Sequence, residues 1–269
     1  MSDEILQKKT IEDFSVQWTK FTDNEGYYGS NELFRDIFEP LLDISEVRGK
    51  RVADIGSGTG RIVQMLLSAG AAHVTAIEPS DACDVIEQHF RDIPRSRLTC
   101  IKATGECLPL TGDFDLIFSC GVLDHIPDPT PVVRAAHTAL KRGGKLCVWI
   151  YSRDGNELYL SIFGRLRSIT SRLSHDALWR VVRMLGLMVD GYGFLCRWLP
   201  LPLHLYFRNQ LNKFSPEKRR LVIYDQLNPT FAHYFTRKEA LSLFENGGFR
   251  SIQLHHRHKY SWTVVAVKE

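Results

Sequence analysis

Residues 54–61 read DIGSGTGR, an acid followed by three glycines at alternate positions. Glycines so spaced let the main chain turn tightly and approach a bound nucleotide closely. A second acid, Glu78, closes the apolar run HVTAI. In a doubly wound sheet, an acid about 20 residues beyond such a turn accepts hydrogen bonds from ribose. A dinucleotide site uses G-x-G-x-x-G, whose third glycine packs the helix on the strand beneath a pyrophosphate. Here Gly56, Gly58 and Gly60 make G-x-G-x-G instead, and Arg61 stands where that third glycine belongs. Asp54, two residues before the first glycine, would repel a diphosphate and attract a cation. S-adenosylmethionine carries an ammonium, a sulfonium and no phosphate, so charge favours it over a pyridine dinucleotide. The plain alternatives are a purely structural turn at the glycines and a solvated strand end at Glu78; the two carboxylates together argue for a ligand.

These residues need a parallel sheet to hold them. Strand-like runs RVADI, HVTAIE, LTCI, FDLIFSC and KLCVWIY alternate with helix-like segments between residues 50 and 152, the signature of βαβ units. Gly70 can stop the first helix, Ser80 and Asp81 can cap the second, and the glycines of VVRAAHTALKRGG can close another. From Arg153 to Arg220 the pattern becomes helical and basic. One apolar stripe runs through Leu158, Ile162, Phe163, Leu166, Ile169 and Leu173, a second through Leu178, Val181, Val182 and Leu185. TRKEALSLFENGGF then offers a capping box at Thr236 and Glu239. RSIQLHH and YSWTVVAVK follow with no helix between them and should pair antiparallel.

The expected fold is therefore an α/β, Rossmann-like three-layer sandwich: a mostly parallel seven-stranded sheet with an antiparallel final strand, interrupted by a helical insertion. The boundaries read as an N-terminal segment at 1–46, a nucleotide-binding core at 47–152, the insertion at 153–230, and the last helix with the closing strands at 231–269.

Composition narrows the class. The 269 residues are 44% apolar, enough for a packed core, and carry a net charge of +3, too small to argue for nucleic acid or a membrane surface by itself. The six cysteines include no C-x-x-C pair and no cysteine–histidine cluster, and most lie in apolar runs, so they read as reduced core thiols of a cytoplasmic protein. MSDEILQKKTIEDF has acids and no continuous apolar core, unlike a secretory signal. No stretch reaches the roughly 18–20 apolar residues of a membrane span, so a soluble protein is expected.

With these motifs in place, the segment 47–152 resembles the class I S-adenosylmethionine-dependent methyltransferases. VADIGSGTGR is similar to their glycine-rich motif. AIEPS places Glu78 and Pro79 where the family's acid holds both ribose hydroxyls. ATGECLPL resembles the segment lining the adenine, and FDLIFSCGVLDHIPDP the fourth strand and the loop facing the methyl group. The resemblance implies a cofactor site formed by Asp54, Gly56, Ser57, Gly58, Gly60, Glu78 and Pro79, extended by Cys120 and Gly121. Where the family often has an aspartate against the adenine amino group, this chain has Thr104, which leaves the adenine to the Thr104 hydroxyl or to the backbone of Gly105 and Glu106.

Methyl transfer from a sulfonium is an in-line displacement with a good leaving group, so alignment and exclusion of water suffice and no metal is required. A hydroxyl or protonated amine acceptor must still lose a proton. His125, just past the fourth strand, is the candidate general base; the alternative is a loop residue packing on the cofactor. In enzymes of this type the stretch before the last helix contributes to the acceptor pocket, which nominates Asp225, His233 and Tyr234 in YDQLNPTFAHYFT, against mere interface packing. Comparable N-terminal segments fold over the cofactor. Trp18 and Tyr28, in FSVQWTKFTDNEGYYGS, are placed to cover the sulfonium with aromatic faces, the other reading being core packing.

Charge is segregated. Residues 153–222 hold 12 basic and 5 acidic side chains, +7, leaving 22 against 26, −4, elsewhere. A basic amphipathic segment beside YGFLCRWLPLPLHLYF suits a substrate cap, a homodimer interface or contact with anionic lipid. Pro200 and Pro202 interrupt the apolar run, which does not span. No nucleic-acid-binding module or base-methylation motif is visible. The expected activity is methyl transfer to a hydroxyl or amine of a small-molecule, glycan or lipid-linked acceptor, with a non-catalytic cofactor-binding subunit as the alternative.

Overall fold

A computed structural model describes residues 2–202 and 204–269, with the side chains of Leu158, Ile162 and Leu205 excepted. Two members of the first apolar stripe, Leu158 and Ile162, thus lie outside the described side chains. The chain divides into two compact units, one holding the residues up to Asn24, Gly29–Asn156 and Phe231–Glu269, the other Glu25–Tyr28 and Glu157–Thr230.

The first unit begins with α1 (Asp3–Lys20) and α2 (Asn31–Phe38), then alternates through β1 (Arg51–Ile55), α3 (Arg61–Ser68), β2 (His73–Ile77), α4 (Ala82–His89), β3 (Leu98–Ile101), β4 (Phe114–Cys120), α5 (Thr130–Ala139) and β5 (Leu140–Tyr151). The second unit supplies α6 (Glu157–Thr170), α7 (His175–Leu195), α8 (His204–Asn209) and α9 (Pro216–Leu227). The first unit resumes with α10 (Arg237–Asn246), β6 (Ser251–Arg257) and β7 (Ser261–Val267).

The seven strands run in the order β3-β2-β1-β4-β5-β7-β6. β1 to β5 are mutually parallel, and β7 is antiparallel to both β5 and β6. Parallel strands covered on both faces must be apolar throughout, which is why RVADI is buried at every position after Arg51. Val132, Val133 and Ala136 of α5 and Leu243 and Phe244 of α10 pack with Ile117, Val148 and Ala266 in the main core. On the opposite face the rings of Phe34 and Phe38 in α2 lie 5.6 and 5.2 Å from Phe118 of β4. Burying each such ring is worth about 1.5–3 kcal/mol.

Local signals place the helix ends. Thr236 and Glu239 form the expected capping box, the hydroxyl accepting from Glu239 N at 3.2 Å and the carboxylate from Thr236 N at 2.7 Å. The hydroxyls of Ser174 and Ser215 cap α7 and α9 by accepting from Ala177 N and Lys218 N, and the Ser80 hydroxyl accepts from Ala82 N at the start of α4.

Two expectations are corrected. α5 stops at Ala139 and LKRGG belongs to β5, because Leu140 is already extended and Gly143, at φ 75°, bends the chain within the strand entry. The glycines turn the strand; they do not end the helix. Nor are all six cysteines reduced. Cys83 of α4 and Cys100 of β3 are joined as a disulfide across a Cα–Cα distance of 6.4 Å, leaving Cys107, Cys120, Cys147 and Cys196 as free thiols.

Candidate active site

The register of the sheet sets the stage. Ile55 pairs with Ile77 on one side and Ser119 on the other, so Gly56, Glu78 and Cys120 leave or end their strands at one level, at the carboxyl ends of β1, β2 and β4. This is where ligands bind in open parallel sheets.

Gly56, Gly58 and Gly60 all have positive φ, at 71°, 52° and 84°. Two of them also lack room. A Cβ at Gly56 would lie 2.4 Å from a Val122 methyl, and one at Gly60 2.6 Å from the Phe90 ring. Ser57 is buried, its hydroxyl donating to Asp54 O at 2.9 Å.

Glu78 is no solvated strand end. It is 4% exposed, and its carboxylate accepts from Gly58 N at 2.8 Å, from Ser80 N at 3.0 Å and from the Ser80 hydroxyl at 2.5 Å. The acid therefore braces the glycine turn.

Asp54 is sealed from solvent, and its Oδ2 has no hydrogen-bond partner. Burial pushes its carboxyl up to about 7, against the pull of Ser57 and Arg61 and with a further push from Glu78. A buried acid left in this state is stabilised in its charged form only when a cation comes to it. Among the described residues, no group of histidine, cysteine and carboxylate side chains could hold a metal ion.

The N-terminal helix reaches this turn. The Trp18 indole lies 3.4 Å from where a Gly58 Cβ would sit, stacked loosely on Phe14 at 6.2 Å. Beyond α1, Asn24 Nδ2 donates to Thr59 O at 2.8 Å while the Thr59 hydroxyl donates to Asn24 Oδ1 at 2.7 Å. Tyr28 is grouped differently. It belongs to the second unit, where its ring lies edge-on to Phe214 at 6.2 Å and 4.7 Å from the Lys218 ammonium.

The segment expected at the adenine forms a short turn, Gly105–Cys107. Gly105 is buried between Ile55 and Val132, Glu106 is exposed, and the Thr104 hydroxyl points to Cys107 Sγ at 3.7 Å. The Cys120 sulfur accepts from Arg61 Nη2 at 3.5 Å, and burial pushes its thiol up to about 11, which removes it as a nucleophile near neutral pH. Gly121, at φ 69°, donates its N–H to Trp149 O at 2.9 Å.

His125 ends the short turn Leu123–His125 after β4 and is 7% exposed. Its Nδ1 is 2.9 Å from Phe231 O. A carbonyl only accepts, so Nδ1 carries the hydrogen and the neutral ring presents its lone pair at Nε2. The Phe14 ring meets the imidazole edge-on at 4.7 Å.

Asp124, beside it, escaped the sequence reading and is completely buried. One carboxylate oxygen accepts from Tyr151 N and its main-chain oxygen from His233 N, both at 2.7 Å. The chain after β4, the end of β5 and the approach to α10 are thus tied at one residue. This brings His233 and Tyr234 to the same end of the sheet as His125, with Tyr234 against Tyr151 at 5.2 Å. Burial holds the His233 imidazole below its usual range, against the pull of Glu239. The expected loop is helical as far as Leu227, and Asp225 lies in α9 of the second unit.

Comparison with known proteins agrees with this geometry. A family described as "Methyltransferase domain" matches residues 53–148. The ubiquinone biosynthesis O-methyltransferase of Azotobacter vinelandii is 30% identical over 154 residues, covering 52% of this chain and 66% of that protein. That of Pseudomonas aeruginosa is 27% identical over the same coverage. The chain therefore spans just under two thirds of the length of these curated relatives. Among solved structures, the magnesium protoporphyrin IX methyltransferase of Synechocystis PCC 6803, with bound SAH, aligns over 100% of both chains at a TM-score of 0.58 and 14% identity. A SAM-dependent methyltransferase of Aquifex aeolicus aligns over 95% of this chain and 98% of its own at 0.53 and 13% identity, which shows a shared fold. An acid-flanked glycine turn on this strand order, inside a matched methyltransferase domain, makes the chain a member of the class I S-adenosylmethionine-dependent methyltransferases, with S-adenosylmethionine as its cofactor.

Proposed function

We propose that this protein transfers a methyl group from S-adenosylmethionine to a hydroxyl of a small or amphiphilic acceptor, with His125 as general base. The observation that carries the reading is the hydrogen bond from His125 Nδ1 to Phe231 O just past the carboxyl end of β4, which fixes the tautomer with its lone pair on Nε2. The relatives' name, O-methyltransferase, supports oxygen over nitrogen as the acceptor atom.

The cofactor supplies an electrophilic methyl on a sulfonium. Glu78 and the three glycines hold the nucleoside, the carboxylate accepting from ribose hydroxyls and the turn admitting the chain close to it. Asp54 faces the positive charge, and Trp18 shields the turn from water. Tyr151, His233 and Tyr234 shape the acceptor side. His125 Nε2 takes the hydroxyl proton, and the freed oxygen lone pair would displace the thioether of bound cofactor at its methyl carbon.

Incubation with cofactor labelled in its methyl group and a panel of hydroxylated aromatic and lipid-like acceptors tests the reading. Label recovered in an ether-type product supports it. Calorimetric heat with the cofactor but no label transferred to any acceptor or cell extract would favour a non-catalytic binding subunit.

Asp54 makes cofactor binding depend on pH in a defined direction. Its carboxyl is largely protonated below about 7, and a cationic ligand stabilises the ionised form, so binding expels a proton there. Affinity should rise as pH increases from about 5 to 7, by at most about tenfold per unit, and level off above. Titration calorimetry in buffers of different ionisation heat reads both the slope and the proton release. Asp54→Asn should abolish the slope; an unchanged slope would take Asp54 out of cofactor recognition.

A further inference from the structure

The second unit carries an apolar face that the fold does not cover. Met184, Leu187 and Met188 of α7 are 61%, 68% and 67% exposed, and Phe194 and Trp198 further on are 60% and 78% exposed. Spacings of three, four and seven residues put the first four on one side of the helix. The buried side is distinct, formed by Leu178, Val182 and Gly186. α7 is therefore amphipathic in the usual sense along its inner face and apolar again along its outer one.

Cations accompany this outer face. Arg180 and Arg183 on α7 and Arg197 just beyond it are exposed, and among the described residues no carboxylate lies within ion-pair distance of them. The other arginines nearby are committed: Asp190 takes Arg219 at 2.6 Å and Arg220 at 3.2 Å. Uncompensated charge thus falls on the rim of the apolar stripe.

From this juxtaposition we propose that the outer face of α7 docks the protein on the surface of an anionic lipid bilayer, Leu187, Met188, Phe194 and Trp198 entering the interface while Arg180, Arg183 and Arg197 meet lipid phosphates. Long apolar side chains flanked by arginines, with a tryptophan at the edge, match the boundary between headgroups and acyl chains. No described helix is long and apolar enough to cross a membrane, so the contact is peripheral. A second copy of the chain fits less well. A two-fold interface sets the same patch against itself, and here that brings together two patches in which the exposed Arg180, Arg183 and Arg197 outnumber the exposed Asp176. The docking needs no cofactor and stands independently of the methyl-transfer reading.

Flotation of the full chain with vesicles of phosphatidylcholine containing phosphatidylglycerol, and with phosphatidylcholine alone, provides the test. The protein should float with the anionic vesicles at low salt, float less as salt rises, and stay behind with the neutral ones. Trp198 emission should shift to the blue on binding, a change absent in Trp198→Phe. Replacing Arg180, Arg183 and Arg197 together by Gln should weaken partitioning on the order of 100-fold. Leu187→Glu with Met188→Glu should abolish it. SAH-induced melting shifts in every variant confirm that each is folded. Failure to float with anionic vesicles, equal flotation with neutral ones, or a stable dimer by light scattering that Leu187→Glu dissociates would each overturn the proposal.

Discussion

Replacing His125 by Ala is expected to lower kcat about 10²–10⁴-fold, the range that a positioned general base contributes, while the Kd for SAH changes little. The separation of effects follows from the geometry. His125 sits on the turn after β4 with Phe231 O, Phe14 and Tyr151 about its ring, whereas the Glu78 carboxylate is what braces the glycine turn. His125→Asn refines the experiment, because an asparagine amide reproduces the Nδ1–H donor to Phe231 O and has no basic nitrogen where Nε2 was. If the imidazole is the base, Asn is as impaired as Ala and both lose the acid limb of the kcat/KM profile against pH. If Asn restores turnover, the hydrogen bond to the 231–234 segment is what matters, and His125 is a positioning residue. Equal turnover in all three proteins removes His125 from catalysis.

The parts of this site that were legible in the sequence are those set by short-range geometry. Gly56, Gly58 and Gly60 advertise a backbone with positive φ, and Asp54 and Glu78 stand at strand ends that the apolar runs already mark. The parallel pairing of the first five strands follows from alternation, and the lack of a helix between RSIQLHH and YSWTVVAVK predicts their antiparallel pairing. What could not be read depends on partners far away in the chain. Asp124 looks like any loop acid until Tyr151 N and His233 N, 27 and 109 residues on, are seen to donate to it. Cys83 and Cys100 likewise meet only because α4 folds back against β3.

The loop expected around Asp225 is a helix for a different reason. A proline at 229 and the polar residues around it suggested a loop, yet Ser215 and Pro216 start a helix whose buried Leu221, Tyr224 and Leu227 recur every three residues and carry it past Asp225. The apolar period outweighed the turn signal. LKRGG failed in the opposite sense, where glycines suited to a helix stop serve a bend inside a strand.

The electrostatics of the turn also explain how a second acid, Asp54, can stand beside the ribose-type acid Glu78. Glu78 and Asp54 repel one another, and burial shares the cost unequally: Glu78 has three donors and Asp54 Oδ2 has none. Such a pair holds one charge securely and leaves the other to be satisfied by the ligand.

Substitution at Glu78 should therefore be the most damaging to cofactor binding. Glu78→Ala removes the acceptor for two ribose hydroxyls, and hydrogen bonds to a charged group are worth about 1.5–3 kcal/mol each, so Kd for SAH should rise on the order of 10²–10⁴-fold. Glu78→Gln tests the same point without a cavity. Its amide nitrogen is a donor and must face either Gly58 N–H or the Ser80 N–H and hydroxyl, all of which donate to the native carboxylate. Gln should thus be nearly as impaired as Ala, although it is close to Glu in size. Calorimetric Kd and the melting temperature of the ligand-free protein, measured together, separate the two roles of the residue. Bracing the turn alone predicts a lower melting temperature with a nearly native Kd once SAH has ordered the loop, and that outcome would strip Glu78 of its contact with the ribose. A Kd raised a hundredfold or more in a protein that still melts cooperatively assigns that contact to it.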